Sequence, residues 1–275
     1  MTGTDLSPEA TSRTVVAGGV AVHLHEAGPA GPAPLLLLIH GGAPGAYGWG
    51  NFGQNLATFA ERFRTVIVDL PGYGDSDPID TGGGRYGAYA DVFADLIVQL
   101  GEERAHVVGL ATGGAVAMAM ALAHPERVDR LVLVSTAGGL PLFTPSPSEG
   151  QKAIRSYYGG TGPSREKMAA YLELMLHDAD LITDALVEER YQASVRARGR
   201  ESGTPEPLWS RLHEIGAPTL VIWGRDNRIQ GYDNALFLLQ RIPDVEVHLF
   251  GSTGLWVPFE RRERFEQLVT GFLGV

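Results

Sequence analysis

The chain reads as an α/β protein: a doubly wound, mostly parallel sheet with a helical segment inserted late in the sequence. Three observations predict this. Short apolar runs recur, and two of them end in turns, Leu35–Ile39 before His40-Gly41-Gly42 and Thr65–Asp69 before Pro71-Gly72. Helical patterns alternate with these runs, as strand–helix–strand units of a parallel sheet require. The alternation lapses between about Gly139 and Leu208, where no buried-strand run occurs.

The elements follow in order. Thr14–Val16 and Val20–His25 read as strands joined by the turn pair Gly18-Gly19, a hairpin. Leu35–Ile39, Thr65–Asp69, His106–Gly109, Leu131–Ser135, Leu220–Gly224 and Val245–Phe250 read as further strands. A continuous apolar run is what a strand covered on both faces needs. Helices are expected over about Asn51–Arg62, Tyr86–Leu100, Gly114–His124, Asp233–Arg241 and Glu260–Leu273. Inside the insertion, helical patterns lie around Gln151–Tyr158, Ser164–His177 and Asp180–Ala197, before a polar linker, Glu201–Pro207. The expected organisation is a core of residues 1–138 and 209–275 with a helical cap of residues 139–208. Ligands of such sheets bind at the carboxyl ends of the strands, and each motif below follows such an end.

The 275 residues carry 22 basic and 32 acidic side chains, a net charge of −10. That disfavours nucleic acid and anionic membrane as partners. With no cysteine, thiolate catalysis, disulfides and Cys-ligated metals are excluded. No apolar run reaches the ~18 residues of a bilayer span, and Met1–Arg13 lacks the apolar stretch of a signal peptide. A cytoplasmic location is therefore expected. No His/Asp/Glu cluster has metal-ligand spacing, and Gly82-Gly83-Gly84 follows no strand and lacks the Lys-Ser/Thr of a phosphate loop. No metal or cofactor is expected.

Three motifs carry chemistry, and each lacks its reactive group. Gly109-Leu110-Ala111-Thr112-Gly113-Gly114 has the form of a nucleophile elbow, G-x-S-x-G, with alanine in place of serine. Gly224-Arg225-Asp226-Asn227 ends a strand where an acid usually sits. Gly254-Leu255-Trp256 stands where a late Gly-His is usual. The degenerate triad positions are thus Ala111, Asn227 and Leu255. A register shift of one residue would make Asp226 the acid.

With His40-Gly41-Gly42-Ala43-Pro44-Gly45-Ala46, Trp49, Asn51-Phe52 and Asp69-Leu70-Pro71-Gly72-Tyr73-Gly74-Asp75-Ser76-Asp77, these segments resemble the α/β-hydrolase superfamily over nearly the whole chain. Within it they are most similar to the meta-cleavage-product hydrolases, which cleave C–C bonds in dienoates made from aromatic rings. The resemblance implies an α/β-hydrolase fold. It places the family's serine, histidine and aspartate at Ala111, Leu255 and Asn227. It also implies that Arg190 of the cap holds the substrate carboxylate, and that Asn51 and Trp256 match further site residues. A homodimer is implied as well.

Alanine offers no nucleophile, leucine moves no proton, and asparagine stabilises no imidazolium. The backbone donors of an oxyanion hole survive side-chain loss, here at Thr112 and at Gly42 and Ala43. Asp226 is an acid/base candidate, or caps a loop. His40, Tyr47, Asn51, His177, Arg190, Tyr191 and Trp256 are candidate substrate contacts. Each has a plainer alternative: a structural histidine at 40, a solvated helix charge at 190, packing at Trp256 and the cap tyrosines Tyr157, Tyr158 and Tyr191. The leading expectation is a non-hydrolytic, cofactor-independent enzyme of natural-product biosynthesis. It would promote C–C bond formation, cyclisation or rearrangement of a conjugated or aromatic small molecule through oxyanion stabilisation. The alternatives are a catalytically dead ligand-binding protein and residual C–C or ester hydrolysis through water.

Overall fold

The computed structural model describes residues 5–196 and 203–274. The sequence readings at Met1–Thr4, at Ala197 and at Glu201-Ser202 lie outside the described residues.

The strands are β1 (Ser12–Ala17), β2 (Val20–Ala27), β3 (Leu35–Ile39), β4 (Arg64–Val68), β5 (Ala105–Leu110), β6 (Val128–Val134), β7 (Thr219–Gly224) and β8 (Val245–Phe250). They form one eight-stranded sheet of order β1-β2-β4-β3-β5-β6-β7-β8. The β1–β2 hairpin and the β2–β4 pair are antiparallel, and the pairs from β4 to β8 are parallel. The chain lays β4 on one side of β3 and β5 on the other. The loops leaving β3 and β5 therefore open a crevice between them, the switch point of a doubly wound sheet.

The helices are α1 (Pro8–Thr11), α2 (Gly48–Phe52), α3 (Leu56–Ala60), α4 (Arg85–Gln99), α5 (Thr112–Ala123), α6 (Glu149–Tyr157), α7 (Arg165–Met175), α8 (Asp184–Arg196), α9 (Asp233–Arg241), α10 (Val257–Glu260) and α11 (Arg262–Leu273). Leu35, Leu37 and Ile39 of β3 pack in the cluster that includes α4, α5 and α9, while Leu36 and Leu38 join Phe52, Phe59, Phe265 and Val269 on the other face. This two-sided burial explains the unbroken apolar run. Among the described residues three α-helices, α6 to α8, stand between β6 and β7, and Tyr157, Met168, Tyr171, Leu172 and Met175 join the second cluster. Ser148 caps α6 in a capping box, and Ser164 caps α7, supplying acceptors that a helix start lacks. Glu206 ties the segment before β7 to the start of α4, accepting from Tyr86 N and Gly87 N at 2.7 and 2.9 Å.

Two expected helices are broken. The pattern over Asn51–Arg62 resolves into α2, a 3₁₀ turn at Gly53–Asn55 and α3. At Gly53 a Cβ would stand 2.7 Å from the Trp49 ring, so the turn folds back onto that indole. The pattern over Glu260–Leu273 breaks at Arg261, with φ −129° and ψ 40°, between α10 and α11. No helix among the described residues is long and apolar enough to cross a membrane.

A tight backbone approach lies where α5 leaves β5. A Cβ at Gly113 would collide with the carbonyl oxygens of Ile39 and His40, and one at Gly109 with Gly113. Gly113→Ala is therefore expected to cost about 3 kcal/mol and to lower the thermal midpoint by roughly 6–12 °C in a circular-dichroism melt. Gly216→Ala, where nothing lies within 4 Å of the added carbon, is expected to change stability by less than about 0.5 kcal/mol.

Candidate functional site

The elbow conformation persists without its hydroxyl. Ala111 has φ 49° and ψ −112°, a backbone state that costs an ordinary L residue about 1–3 kcal/mol. Surrounding bonds hold it there: Ala111 N donates to Val134 O at 3.0 Å, and Ala111 O accepts from Ala137 N at 2.9 Å. The Thr136 hydroxyl donates to Ala111 O at 3.3 Å. A Cβ on Gly41 would stand 3.4 Å from the Ala111 methyl, so the loop after β3 lies directly across the elbow.

A cavity of about 90 Å³ lies at this crossing, lined on the core side by Gly42, Ala43, Asn51, Ala111, Thr112, Gln230 and Leu255. Ile154, Tyr171, Leu172, Met175 and Arg190 line it from α6, α7 and α8. Thr112 begins the twelve-residue α5. Amides in a helix's first turn have no intrahelical acceptor, and they form the positive end of its dipole. An oxyanion placed beside Ala111 would meet that end. Leu255 is 6% exposed, and its N–H donates to Met175 O at 2.8 Å, which joins the loop after β8 to the end of α7.

Two polar side chains face this apolar space from the inserted helices. Arg190 is 2% exposed, and burial lowers its pKa, opposed by the charge of Glu189. It donates to Gly45 O at 3.1 Å, Asn51 Oδ1 at 3.3 Å and Gly50 O at 2.5 Å, while its Nε has no partner. Its guanidinium stacks 4.2 Å from the Trp256 ring. A desolvated cation held by carbonyls favours an anionic ligand. Tyr171 also has an unpartnered hydroxyl, and burial pushes its pKa up, so it is a phenol able to donate. Sequence reading missed Tyr171 and Gln230. Met168, Tyr171, Leu172 and Met175 form the buried stripe of α7, and one hydroxyl within such a stripe was the available signal.

The structure thus brings Gly42, Ala43, Asn51, Ala111, Thr112, Arg190 and Leu255 together. Trp256 backs Arg190 and donates from Nε1 to Asn51 O at 3.1 Å. The other candidates lie elsewhere. Tyr47 donates to Glu189 Oε1 at 2.8 Å, and Tyr191 packs under Arg165 at 4.6 Å. His177 and Asp226 line a separate surface hollow with Arg225 and Arg228, where Asp226 pairs with Arg225 at 3.2 Å. Asn227 closes its own turn, accepting from Ile229 N and Gln230 N at 3.0 and 2.9 Å. Fully buried His40 bonds the Gly41 carbonyl through Nδ1 at 2.5 Å and accepts from Leu70 N through Nε2 at 2.9 Å. It holds the loop after β3 in place.

A family model described as alpha/beta hydrolase fold matches residues 34–261. A 2-hydroxy-6-oxononadienedioate/2-hydroxy-6-oxononatrienedioate hydrolase of Paraburkholderia phymatum is 39% identical, with 96% of each chain covered. A protein of the same name from Klebsiella pneumoniae is 35% identical, again over 96% of each. A solved serine-to-alanine mutant of the meta-cleavage product hydrolase from Pseudomonas fluorescens IP01, complexed with acetates, superposes with TM-score 0.83 at 28% identity, covering 95% of this chain and 97% of that one. These relatives overturn the expectation of C–C bond formation, cyclisation or rearrangement in biosynthesis. At this similarity over the full length, the named chemistry is hydrolysis of oxo-dienedioates.

Burial pushes the His40 pKa down to about 4, against the upward pull of Asp69. The unfolded imidazole titrates near 6.5, so between pH 6.5 and 4 the unfolded chain takes up a proton that the folded chain refuses. The His40 contribution is complete above pH 6.5 and is lost as pH falls through that window, by about 3 kcal/mol. Buried His25 and His106 shift in the same direction, whereas His23 shifts oppositely through its bond to Asp69. Urea unfolding at pH 7 and pH 4.5 is expected to show the decline, and the slope should flatten in a folded His40→Gln variant.

Proposed function

We propose that this chain, which belongs to the α/β-hydrolase family and within it to the meta-cleavage-product hydrolases, binds a 2-hydroxy-6-oxo dienoic acid in the elbow cavity and hydrolyses its C–C bond slowly, with water as the nucleophile. The observation that carries this reading is the buried Arg190, with its unpartnered Nε, across a small apolar cavity from the preserved elbow. Arg190 takes the substrate carboxylate. The 6-oxo oxygen rests at the amides of Thr112 and of Gly42 and Ala43, where developing negative charge is stabilised. Water adds through its oxygen to the 6-oxo carbon. The bond from that carbon to its neighbour in the dienoate then breaks, giving a carboxylic acid and a dienoate fragment that takes up the displaced proton.

The reaction is slow because Ala111 forms no acyl-enzyme and Leu255 takes no proton from the water. Ile154, Tyr171, Leu172, Met175 and Arg190 wall the cavity from α6, α7 and α8, so these helices shape which dienoate fits. Ala111 and Leu255 also favour a second reading, in which the substrate is bound without turnover.

Incubation with 2-hydroxy-6-oxononadienedioate in H₂¹⁸O, followed by ultraviolet absorbance and mass spectrometry, separates the two. Hydrolysis places one ¹⁸O in the acid product. Saturable binding with an intact chromophore supports the second reading, and neither binding nor product excludes both. Arg190→Met is expected to weaken binding by roughly tenfold to a hundredfold, as loss of a charged hydrogen-bonding partner does. The combined variant Ala111→Ser, Asn227→Asp, Leu255→His is expected to raise hydrolysis by about 10³-fold or more, because the elbow backbone already has the nucleophile's geometry.

A further inference from the structure

A second concavity, of about 710 Å³, opens against the N-terminal hairpin and the loop after β4, and Ser12, His23 and Asp69 all line it. Ser12 Oγ stands 2.8 Å from His23 Nε2, and His23 Nδ1 stands 2.7 Å from Asp69 Oδ2. We propose that Ser12, His23 and Asp69 form a second nucleophile–base–acid array, giving the chain a serine-dependent esterase activity on activated aryl esters, separate from the elbow cavity.

The atoms are used in the order that such catalysis requires. The carboxylate accepts from Nδ1–H, which fixes the tautomer and leaves the Nε2 lone pair for the serine hydroxyl. Such arrays are recognised by geometry, since chain order differs between unrelated enzymes. Asp69 is 3% exposed and also accepts from Gly48 N at 2.6 Å and Asp75 N at 3.1 Å. Burial raises its pKa, but the His23 bond and these amides help to outweigh it and keep the group ionised. The backbone N–H of His23 donates to Ser76 Oγ at 2.9 Å, which fixes the strand that carries the imidazole. The His25 ring meets the His23 ring edge-on at 5.0 Å and bonds the Thr11 hydroxyl at 3.1 Å. Ser12 begins β1 and is exposed. Trp49, Trp256 and Phe259 supply aromatic surface in the same concavity, suited to an aryl group.

The step balances within the ester and water. Ser12 Oγ bonds to the ester carbonyl carbon as its proton passes to His23 Nε2. The carbon–oxygen bond to the leaving group breaks, and the phenol departs with that proton. Water then cleaves the acyl–Ser12 ester by the same route, releasing the carboxylic acid and restoring the hydroxyl. Activated esters are the expected substrates because a phenolate leaves with less stabilisation than an alkoxide.

The test uses the full chain with p-nitrophenyl acetate and with a fluorophosphonate, read by intact mass and peptide mapping. The expected result is a single adduct on Ser12. It is absent from Ser12→Ala, whose ester hydrolysis falls to the uncatalysed rate while its circular dichroism is unchanged. The groups facing His23 are Ser12 from β1, His25 on its own strand, and Asp69 and Asp75 after β4. The bond from Asp69 holds the imidazole above its ordinary 6.5, against burial. Labelling should therefore rise with pH through a midpoint above 6.5, a dependence that a merely structural network does not produce. His23→Gln, if folded, should lose both the labelling and its pH midpoint. An unlabelled Ser12, an adduct on another residue, or undiminished hydrolysis in Ser12→Ala would overturn the proposal.

Discussion

The close passage of α5 beneath the ends of β3 and β5 governs the rest of the structure. Gly109, Gly113 and Gly114 let backbone meet backbone there, and the helix start is forced to turn through Ala111 at positive φ. The strained turn is held by Val134, Thr136 and Ala137, none of which depends on the side chain at 111. The framework of a nucleophile elbow can therefore outlast its nucleophile. What remains is a helix N-terminus facing a small apolar cavity, with fixed dipoles that need no reorganisation when charge develops.

Arg190 makes the second constraint, joining the inserted helices to the core. Its guanidinium bonds the carbonyls of Gly45 and Gly50 and the Asn51 side chain, and it stacks on Trp256. A Cβ at Gly45 would collide with the Arg190 backbone, so α8 sits close against the loop after β3. One buried cation thus ties the inserted helices to the core and places positive charge at the cavity wall.

Much of this was legible in the sequence, for identifiable reasons. Runs such as Leu35–Ile39 alternate between two core clusters, and their shortness and flanking turn residues mark them as strands buried on both faces. The pattern over Asn51–Arg62 misled because Gly53 folds against Trp49, a contact that periodicity does not encode. Ala111 and Leu255 could be placed near one another because each follows a strand end, whereas Asn51 and Arg190 are assigned to the site only by the family resemblance. Tyr171 could not, since its hydroxyl interrupts a helical stripe that otherwise reads as core. Ser12, His23 and Asp69 escaped notice for a different reason. Strand pairing sets Ser12 opposite His25, and β2 lies against β4, so the three side chains meet only once the sheet has formed.

The central claim is that the elbow still polarises a carbonyl although its reactive side chain is gone. The infrared stretch of a bound, ¹³C-labelled 6-oxo group tests it directly. A lower frequency is expected in the protein than in water, because preorganised amides at Thr112 and at Gly42 and Ala43 pull harder on the oxygen than solvent does. An unshifted or higher frequency in the saturated complex would contradict it.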